Sequence, residues 1–432
     1  VNPKTNVLIF PCGSENAMDI FDSLKYNIHF QLFGATSQHD HSQMIFPNDN
    51  LFIGDLYITQ PNFLEELNKL IKLFRIEYII PTHDTIAMYL AKNRENISAY
   101  LICSPYETAR VAENKNLTYN ELKDAEYYPR IFSATDFDIP YPVFVKPFVG
   151  AGGKGAFQIK NKEELESALE KKSDLLICEY LPGKEYTVDC FTNKNRELLF
   201  FGARTRERVT MGITFHSERA EPNPDFEIIA NDLNRRFIFS GSWFFQVKEN
   251  EFGKIKLLEF SVRHAGTMAF FRQLGVNFAA LSLFDAMGYD VKVLFNDYPI
   301  ILDRRLQNSY KFIFEYNTIY IDFDDTIIIN DKVNTSIIKF LFQSKNANKK
   351  IILLTKHIFD IRKSMRKYHI CSSLFDSIVI VETEKEKADY VIEKKSIFID
   401  NYFPERISVM KKCKIPVFDV DSVELLIDAS QV

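Results

Sequence analysis

Short apolar runs alternate with amphipathic helical patterns at both ends of the chain and stop doing so in the middle, and this division limits the fold more than any other feature. From residue 6 to residue 105 the runs NVLIF, HFQLFGA and EYIIPT are separated by AMDIFDSLKY and NFLEELNKLIKLF. Such strand–helix alternation predicts a parallel sheet with crossover helices. Between about 106 and 300 a helical start gives way to PVFVKPF, FQIK, LLICEYL, YTVDCFT, LLFFGAR, WFFQVKE and KIKLLEF, whose hairpin-like spacing predicts a largely antiparallel α+β region. Alternation returns at 317 with TIYIDFD, KKIILLT, DSIVIVE and KSIFIDN, each nearly all apolar, as expected of strands covered on both faces. A chain of 432 residues is too long for one core. We therefore expect an α/β and α+β multidomain protein with domains at 1–105, 106–312 and 313–432, DRRLQNSYKF (303–312) linking the last two.

Net charge is −5 with the two signs interspersed, and no basic run carries interleaved aromatics, so nucleic acid is not an expected partner. The start, VNPKTNVLIFPCGSENAMDIF, has no basic segment followed by an apolar one, and no stretch approaches the ~18 apolar residues of a membrane span. A cytoplasmic protein without membrane contact is expected. Cys12, Cys103, Cys178, Cys190, Cys371 and Cys413 have no CxxC spacing, which favours reduced, mostly buried thiols over a zinc site or a disulfide framework.

The stretch VFVKPFVGAGGKGAF (143–157) gathers Gly150, Gly152, Gly153 and Gly155 with Lys146 and Lys154. It is not a P-loop, because Lys154 is followed by Gly155 and not by the Ser or Thr that would hold magnesium. What remains is an apolar strand ending in Lys-Pro, then a loop whose bare N–H groups could fold over an anion. Its surroundings give it meaning. ARVAENKNLTYNELK places Lys115 at the start of an amphipathic helix, LLICEYLPGKEYTVD sets Glu179 and Glu185 about a Pro-Gly turn, and FFQVKENEFGKIKLLEFSVRHAGT offers Gln246, Glu259, Ser261 and Arg263 from two strands.

In order and spacing these motifs, over roughly residues 5 to 300, resemble the ATP-grasp superfamily, most closely its carbamoyl-phosphate-synthase-like ligases. The resemblance implies a pre-ATP-grasp α/β domain followed by an ATP-grasp domain, with ATP and Mg2+ as cofactors. Lys115 and Lys146 would meet phosphates as point charges, and the loop of Gly150, Gly152, Gly153 and Gly155 would close over them from a β-hairpin. Glu179, Tyr180 and Leu181 fall where the family reads adenine, and Glu185 where a carboxylate accepts the ribose hydroxyls. Magnesium would fall to Gln246, Glu259 and Ser261, the last standing where the family carries Asn, and Val262 replaces a Pro. Arg263 would stabilise the transferring phosphoryl group. Arg204, Arg206 and Arg208 in GARTRERV read as an exposed strand face, one of which could bind a substrate carboxylate; His216 and His264 read as structural or peripheral.

IYIDFDDTIII ends a strand with Asp322, Asp324 and Thr326, IILLTKH supplies Thr355, TEKEKADYVI supplies Lys387 with Lys385 as competitor, and SIFIDNYFPER supplies Asp400. These four motifs resemble the haloacid dehalogenase (HAD) superfamily, a Rossmann-like fold. The resemblance implies Asp322 as nucleophile, Asp324 as acid and base, Thr355 and Lys387 as phosphate holders, and Asp322, Asp324 and Asp400 around Mg2+. Asn401 stands where a second Asp is frequent, and Glu405 could compensate. The interval from Asp324 to Ile351 leaves no room for a large cap domain, so the site is open or covered by another domain. The leading expectation is an ATP-dependent ligase joining a small carboxylate to an amine through an acyl phosphate, coupled to a phosphatase with its own phosphorylated substrate. The alternatives are a phosphatase with a regulatory nucleotide-binding module and a non-enzymatic nucleotide sensor.

Overall fold

The strands of the first alternating segment, β1 (Thr5–Phe10), β2 (Phe30–Thr36), β3 (Leu51–Ile53), β4 (Tyr78–Pro81) and β5 (Tyr100–Leu101), form one parallel sheet in the order β3-β2-β1-β4-β5. The computed structural model describes residues 3–136, 138–150, 152–210 and 212–430; Ala151, inside the glycine-rich loop, lies outside them. Helix α1 (Glu15–Leu24) starts where Ser14 accepts the Ala17 N–H, and its Ala17, Ile20, Phe21 and Leu24 pack into a core with Val7 and Ile9. Helices α2 (Phe63–Phe74) and α3 (Asp84–Lys92) bury Phe63, Leu67, Leu70, Ala87 and Leu90 against a core that includes Leu8 and Ile79 of the sheet. Two short helices, α4 (Tyr106–Glu113) and α5 (Lys115–Glu121), lead out of this region.

The middle of the chain is antiparallel, as its spacing predicts. One four-stranded sheet runs β6 (Ile131–Phe132), β9 (Leu175–Glu179), β7 (Val143–Pro147), β8 (Phe157–Ile159), with α6 (Lys162–Lys171) packed on it through Leu165 and Ala168. The glycine-rich loop is the tip of the β7–β8 hairpin. A second sheet runs β11 (Leu198–Thr205), β10 (Glu185–Thr192), β14 (Gly241–Glu249), β15 (Ile255–Ser261). Its alternation separates two faces. Tyr186, Val188, Cys190, Trp243, Phe245 and Val247 share a core with Phe226, Ile229 and Leu233 of α7 (Pro224–Arg236), while Glu185, Thr187, Asp189 and Gln246, offset by one residue, point the other way. Strands β12 (Glu207–Thr210), β13 (Ile213–Glu218) and β16 (Ile301–Asp303) make a small third sheet, and α8 (Ala269–Gln273) and α9 (Phe278–Ala286) lie between β15 and β16.

The chain divides into the units Val1–Leu306 and Gln307–Val432. In the second, β17 (Thr318–Ile321), β20 (Lys350–Thr355), β21 (Ser377–Ile380), β22 (Ser396–Ile399) and β23 (Val417–Phe418) form a parallel sheet in the order β21-β20-β17-β22-β23. A hairpin of β18 (Ile328–Ile329) and β19 (Lys332–Val333) follows β17, and α10 (Thr335–Asn346), α11 (Ile361–Lys367) and α12 (Phe403–Cys413) complete the layers. Ile319, Leu353 and Ile397 face one core and Tyr320, Leu354 and Phe398 the other, so the central strands are covered on both sides.

Several elements escape a reading by apolar period. β3, β5 and β23 are two or three residues long, and β12 is fully exposed and charged. The linker needs correction: Asp303 pairs with His216 in the β13–β16 ladder, and the Arg304 N–H donates to Phe215 O, so the start of 303–312 belongs to the first unit.

The single tryptophan tests the packing of the second sheet. Trp243 is fully buried, stacks on Phe239 at 3.8 Å between centroids, and donates its indole N–H to Thr192 Oγ1 at 2.8 Å. Trp243→Ala is expected to cost about 3–5 kcal/mol, read as a lowered urea midpoint by circular dichroism.

Candidate functional site

Between the two four-stranded sheets of the first unit lies a cavity of about 600 Å³, within the range of small-molecule sites. Its wall brings together Lys115, Lys146, Gly150, Gly152, Gly153, Glu179, Tyr180, Leu181, Glu185, Gln246, Glu259, Ser261 and Arg263. Six elements and the loops beside them supply these residues, Glu185 opening β10. Lys115 opens α5, where Asn114 caps the helix by accepting the Asn116 and Leu117 N–H groups. Lys146 ends β7, Glu179 ends β9, and Gln246 and Glu259 are direct cross-strand partners on β14 and β15.

Several charges of the cavity are matched in pairs. Lys115 Nζ lies 2.9 Å from Glu259 Oε2 and donates to Gly150 O at 3.0 Å, tying the metal-ligand candidate to the glycine-rich loop. Burial by itself raises the Glu259 carboxyl, but the Lys115 and Lys146 ammonium groups together leave it below its ordinary value. Lys146 is buried, donating to Tyr119 Oη at 2.5 Å and Leu258 O at 2.9 Å, and burial lowers its pKa. Glu185 accepts from Arg206 at 2.7 Å. Glu179 accepts the Arg130 N–H at 3.0 Å. Ser261 and Arg263 both turn to Asp84: the Ser261 hydroxyl donates at 2.5 Å and the Arg263 guanidinium at 2.8 Å. Burial pushes the Asp84 carboxyl up, and Arg263 together with the hydrogen bond from Ser261 leaves it below its ordinary value.

Gln246 and Glu259 suit a hard cation: two side-chain oxygens on neighbouring strands at the cavity wall, one of them anionic. Ser261 donates its proton to Asp84, which leaves the lone pairs of its oxygen for a cation. Arg204 is a second correction. It is not on an exposed face but 1% exposed, held by Asp189 through Nε at 2.7 Å and Nη2 at 3.2 Å. Arg208 is exposed and pairs with Asp303, and His264 is buried against Asp19.

In the second unit the predicted residues meet at the C-terminal ends of β17, β20 and β22. Lys387 is buried with its Nζ 2.6 Å from both Asp322 Oδ1 and Asp400 Oδ2. Burial opposes its charge, but the two carboxylates outweigh it and raise its pKa. Asp322 is raised, chiefly by burial, and Asp400 is raised to about 6 by burial and by the neighbouring Asp322. Lys385 pairs with Glu382 on the surface, which leaves the inner role to Lys387. Two expectations change. Asp324 faces His357, whose Nδ1 is 2.9 Å from its carboxylate, and no three His, Cys, Asp or Glu side chains among the described residues are gathered as a metal set. Glu405 does not compensate for Asn401: it accepts the Lys387 main-chain N–H at 3.0 Å and pairs with Lys356 at 2.7 Å, because α12 points it under Lys387.

Residues 112–224 match the family model described as ATP-grasp domain, and residues 171–300 match that of ATP-grasp in the biosynthetic pathway with Ter operon. Among solved structures, N5-carboxyaminoimidazole synthetase from Staphylococcus aureus, complexed with ADP, superposes with a TM-score of 0.57 at 16% identity, over 70% of this chain and 82% of that one. The first unit has the ATP-grasp fold. The biotin carboxylase domain of Hydrogenobacter thermophilus 2-oxoglutarate carboxylase, in complex with MgADP, ADP and bicarbonate, gives 0.55 at 17% identity over 67% and 72%. A curated relative, the 5-formaminoimidazole-4-carboxamide-1-(beta)-D-ribofuranosyl 5'-monophosphate synthetase of Methanothrix thermoacetophila, is 28% identical over 176 residues, 40% of this chain and 47% of that one. D-alanine–D-alanine ligase of Phocaeicola vulgatus is 30% identical over 66 residues, 14% and 20%. The chain thus spans about half of the first of these relatives and a fifth of the second.

Sequence reasoning missed Asp84, Tyr119 and His357. Asp84 starts a helix outside the quoted motifs, while Tyr119 in ARVAENKNLTYNELK and His357, two residues beyond Thr355, stood in quoted motifs without a role. It also missed Gly212 in the β12–β13 turn, at φ +78°, where a Cβ would come within 2.3 Å of Gly152 Cα. Gly212→Ala is therefore expected to displace the glycine-rich loop of the ATP-grasp unit and to speed tryptic cleavage at Lys154 about tenfold, given the cost of the left-handed conformation and the clash. Unchanged cleavage would rule out the contact. In the second unit, the raised Asp400 carboxyl binds more protons folded than unfolded between about pH 4 and 6. Stability in metal-free buffer should fall as pH rises through that window, and Asp400→Asn should flatten the dependence of the urea midpoint.

Proposed function

We propose that the first unit is an ATP-dependent ligase that activates a small carboxylate as an acyl phosphate and passes the acyl group to an amine, with ATP and Mg2+ as cofactors. The observation that carries this reading is the cavity itself: apart from Gly155, the residues that the ATP-grasp resemblance assigns to phosphate, adenine, ribose and metal line it. Lys115 and Lys146 neutralise phosphate charge, the glycine-rich loop covers it, and Glu179, Tyr180 and Leu181 meet adenine beside Glu185 at the ribose. Gln246 and Glu259 hold Mg2+, which would screen the phosphate oxygens; Ser261 adds a lone pair. Arg263 stabilises charge on the transferring group. The fold likeness and the synthetase and ligase names of the relatives support the reaction class.

The second unit is proposed as a HAD-like phosphatase acting on a phosphorylated small molecule, with the chain divided as 1–105, 106–312 and 313–432. Asp322 attacks phosphorus and displaces the ester oxygen, which Asp324 protonates; water, giving its proton back to Asp324, then releases phosphate from the aspartyl phosphate. Lys387 and Thr355 hold phosphate oxygens, and Asp400 with Asp322 serves Mg2+. Asp324 moves the proton, and its contact with His357 sets the position of its carboxyl.

Lys146→Ala is expected to abolish acid-dependent ADP formation, by at least a hundredfold, while phosphomonoester hydrolysis continues. Asp322→Asn should give the opposite pattern, since an amide cannot act as the attacking carboxylate. Coupled phosphate and ADP assays on the full chain read both; ADP formation that survives Lys146→Ala would sink the nucleotide assignment.

A further inference from the structure

Beside the large cavity lies a second pocket of about 100 Å³ that shares Arg206, Gln246 and Arg263 with it. Three buried polar atoms without a hydrogen-bond partner among the described residues line this pocket: Thr187 Oγ1, Arg204 Nη1 and Thr214 Oγ1. Their residues are 1%, 1% and 2% exposed. Buried polar groups are nearly always satisfied, so a cluster of three orphans in one place calls for a missing partner.

The chemistry of that partner is constrained. A guanidinium only donates, and the hydroxyls are free to donate. Asp189 holds the other side of the Arg204 fork and so fixes Nη1 in place. The Arg304 guanidinium also lines the pocket and has no hydrogen bond or ion pair among the described residues, and burial lowers its pKa. Arg206 and Arg263 are matched by Glu185 and Asp84. The one acid on the lining, Glu15, is exposed at the start of α1, where solvent screens it. The volume is that of a few water molecules, about 30 Å³ each, which suits a carboxylate or a phosphate group.

Position separates this group from the reacting acid. Arg204, Thr187, Gln246 and Glu259 form one cross-strand row on β11, β10, β14 and β15, and three strand spacings of about 4.8 Å put Arg204 roughly 14 Å from Glu259. Thr187, Arg204, Thr214 and Arg304 line the small pocket and not the large cavity. The geometry points to an acyl substrate with a second acidic group, a carboxylate or a phosphate, seated on Arg204, Arg304, Thr187 and Thr214 while its reacting carboxylate lies at the shared mouth. The identity of the first acid rests on the ligase reading; the second anion site does not.

The test uses the full chain with glutarate, phosphoglycolate and, as a one-acid control, butyrate. Calorimetric binding without nucleotide should detect glutarate or phosphoglycolate and not butyrate, and the preferred ligand identifies the oxyanion. Arg304→Gln should weaken that binding about tenfold to a hundredfold, the loss of a charge-assisted contact, Arg304→Lys should recover part of it, and Thr214→Val should weaken it with the shape kept. Failure of both diacids to bind, equal binding of butyrate, or indifference to Arg304→Gln would leave a water-filled pocket and overturn the proposal. ADP formation in parallel samples supplied with ATP and Mg2+ separates the two readings. Diacids that bind without turnover sink the ligase and leave the anion site standing; turnover with butyrate as fast as with the diacids sinks the second acid alone.

Discussion

The register of β10 against β11 and β14, and of β14 against β15, is the constraint on which the first unit depends. Side chains alternate with period two, so a slip of one residue would drive Glu185, Thr187 and Asp189 into the core and lift Tyr186, Val188 and Cys190 out of it. The core face prevents this: Trp243, Phe245 and Val247 from β14 and Leu257 from β15 are all fully buried behind the sheet. The same packing therefore fixes where the polar residues stand. Phe244, Gln246, Glu259 and Ser261 reach the cavity because their neighbours in sequence are held on the other side.

Much of this was legible. EYTVDCF alternates polar and apolar residues in the phase that the structure adopts, and the long strands and crossover helices were placed from periodicity. What stayed hidden was decided across long distances. Asp84 starts a helix in the first sheet layer yet orders Ser261 and Arg263, far along the chain. Arg204 sits in a charged stretch that reads as surface, and is buried because Asp189, on the adjacent strand, neutralises it. No local pattern announces such pairings, since a buried ion pair is recognisable only when both partners are placed.

The second unit reaches a comparable end by other means. Its parallel strands all finish at one edge, so residues from three separate segments meet without any long loop. A single ammonium, that of Lys387, keeps Asp322 and Asp400 close together. Without it, two buried carboxylates in this position would repel one another. Glu405 then anchors the Lys387 main chain, which explains why it is drawn inside and away from the role that its place in the sequence suggested.

The Lys115–Glu259 contact has a consequence for the order of events at the cavity. Each partner occupies the other: an incoming phosphate that takes the lysine releases the carboxylate, and an incoming cation that takes the carboxylate releases the lysine. In a ligase of the proposed kind, nucleotide and metal thus each remove an obstacle to the other, and linkage makes the effect equal in both directions. The ion pair acts as a latch that opens fully only when an anion for the lysine and a cation for the carboxylate arrive together, which favours the metal–nucleotide complex over either ion alone.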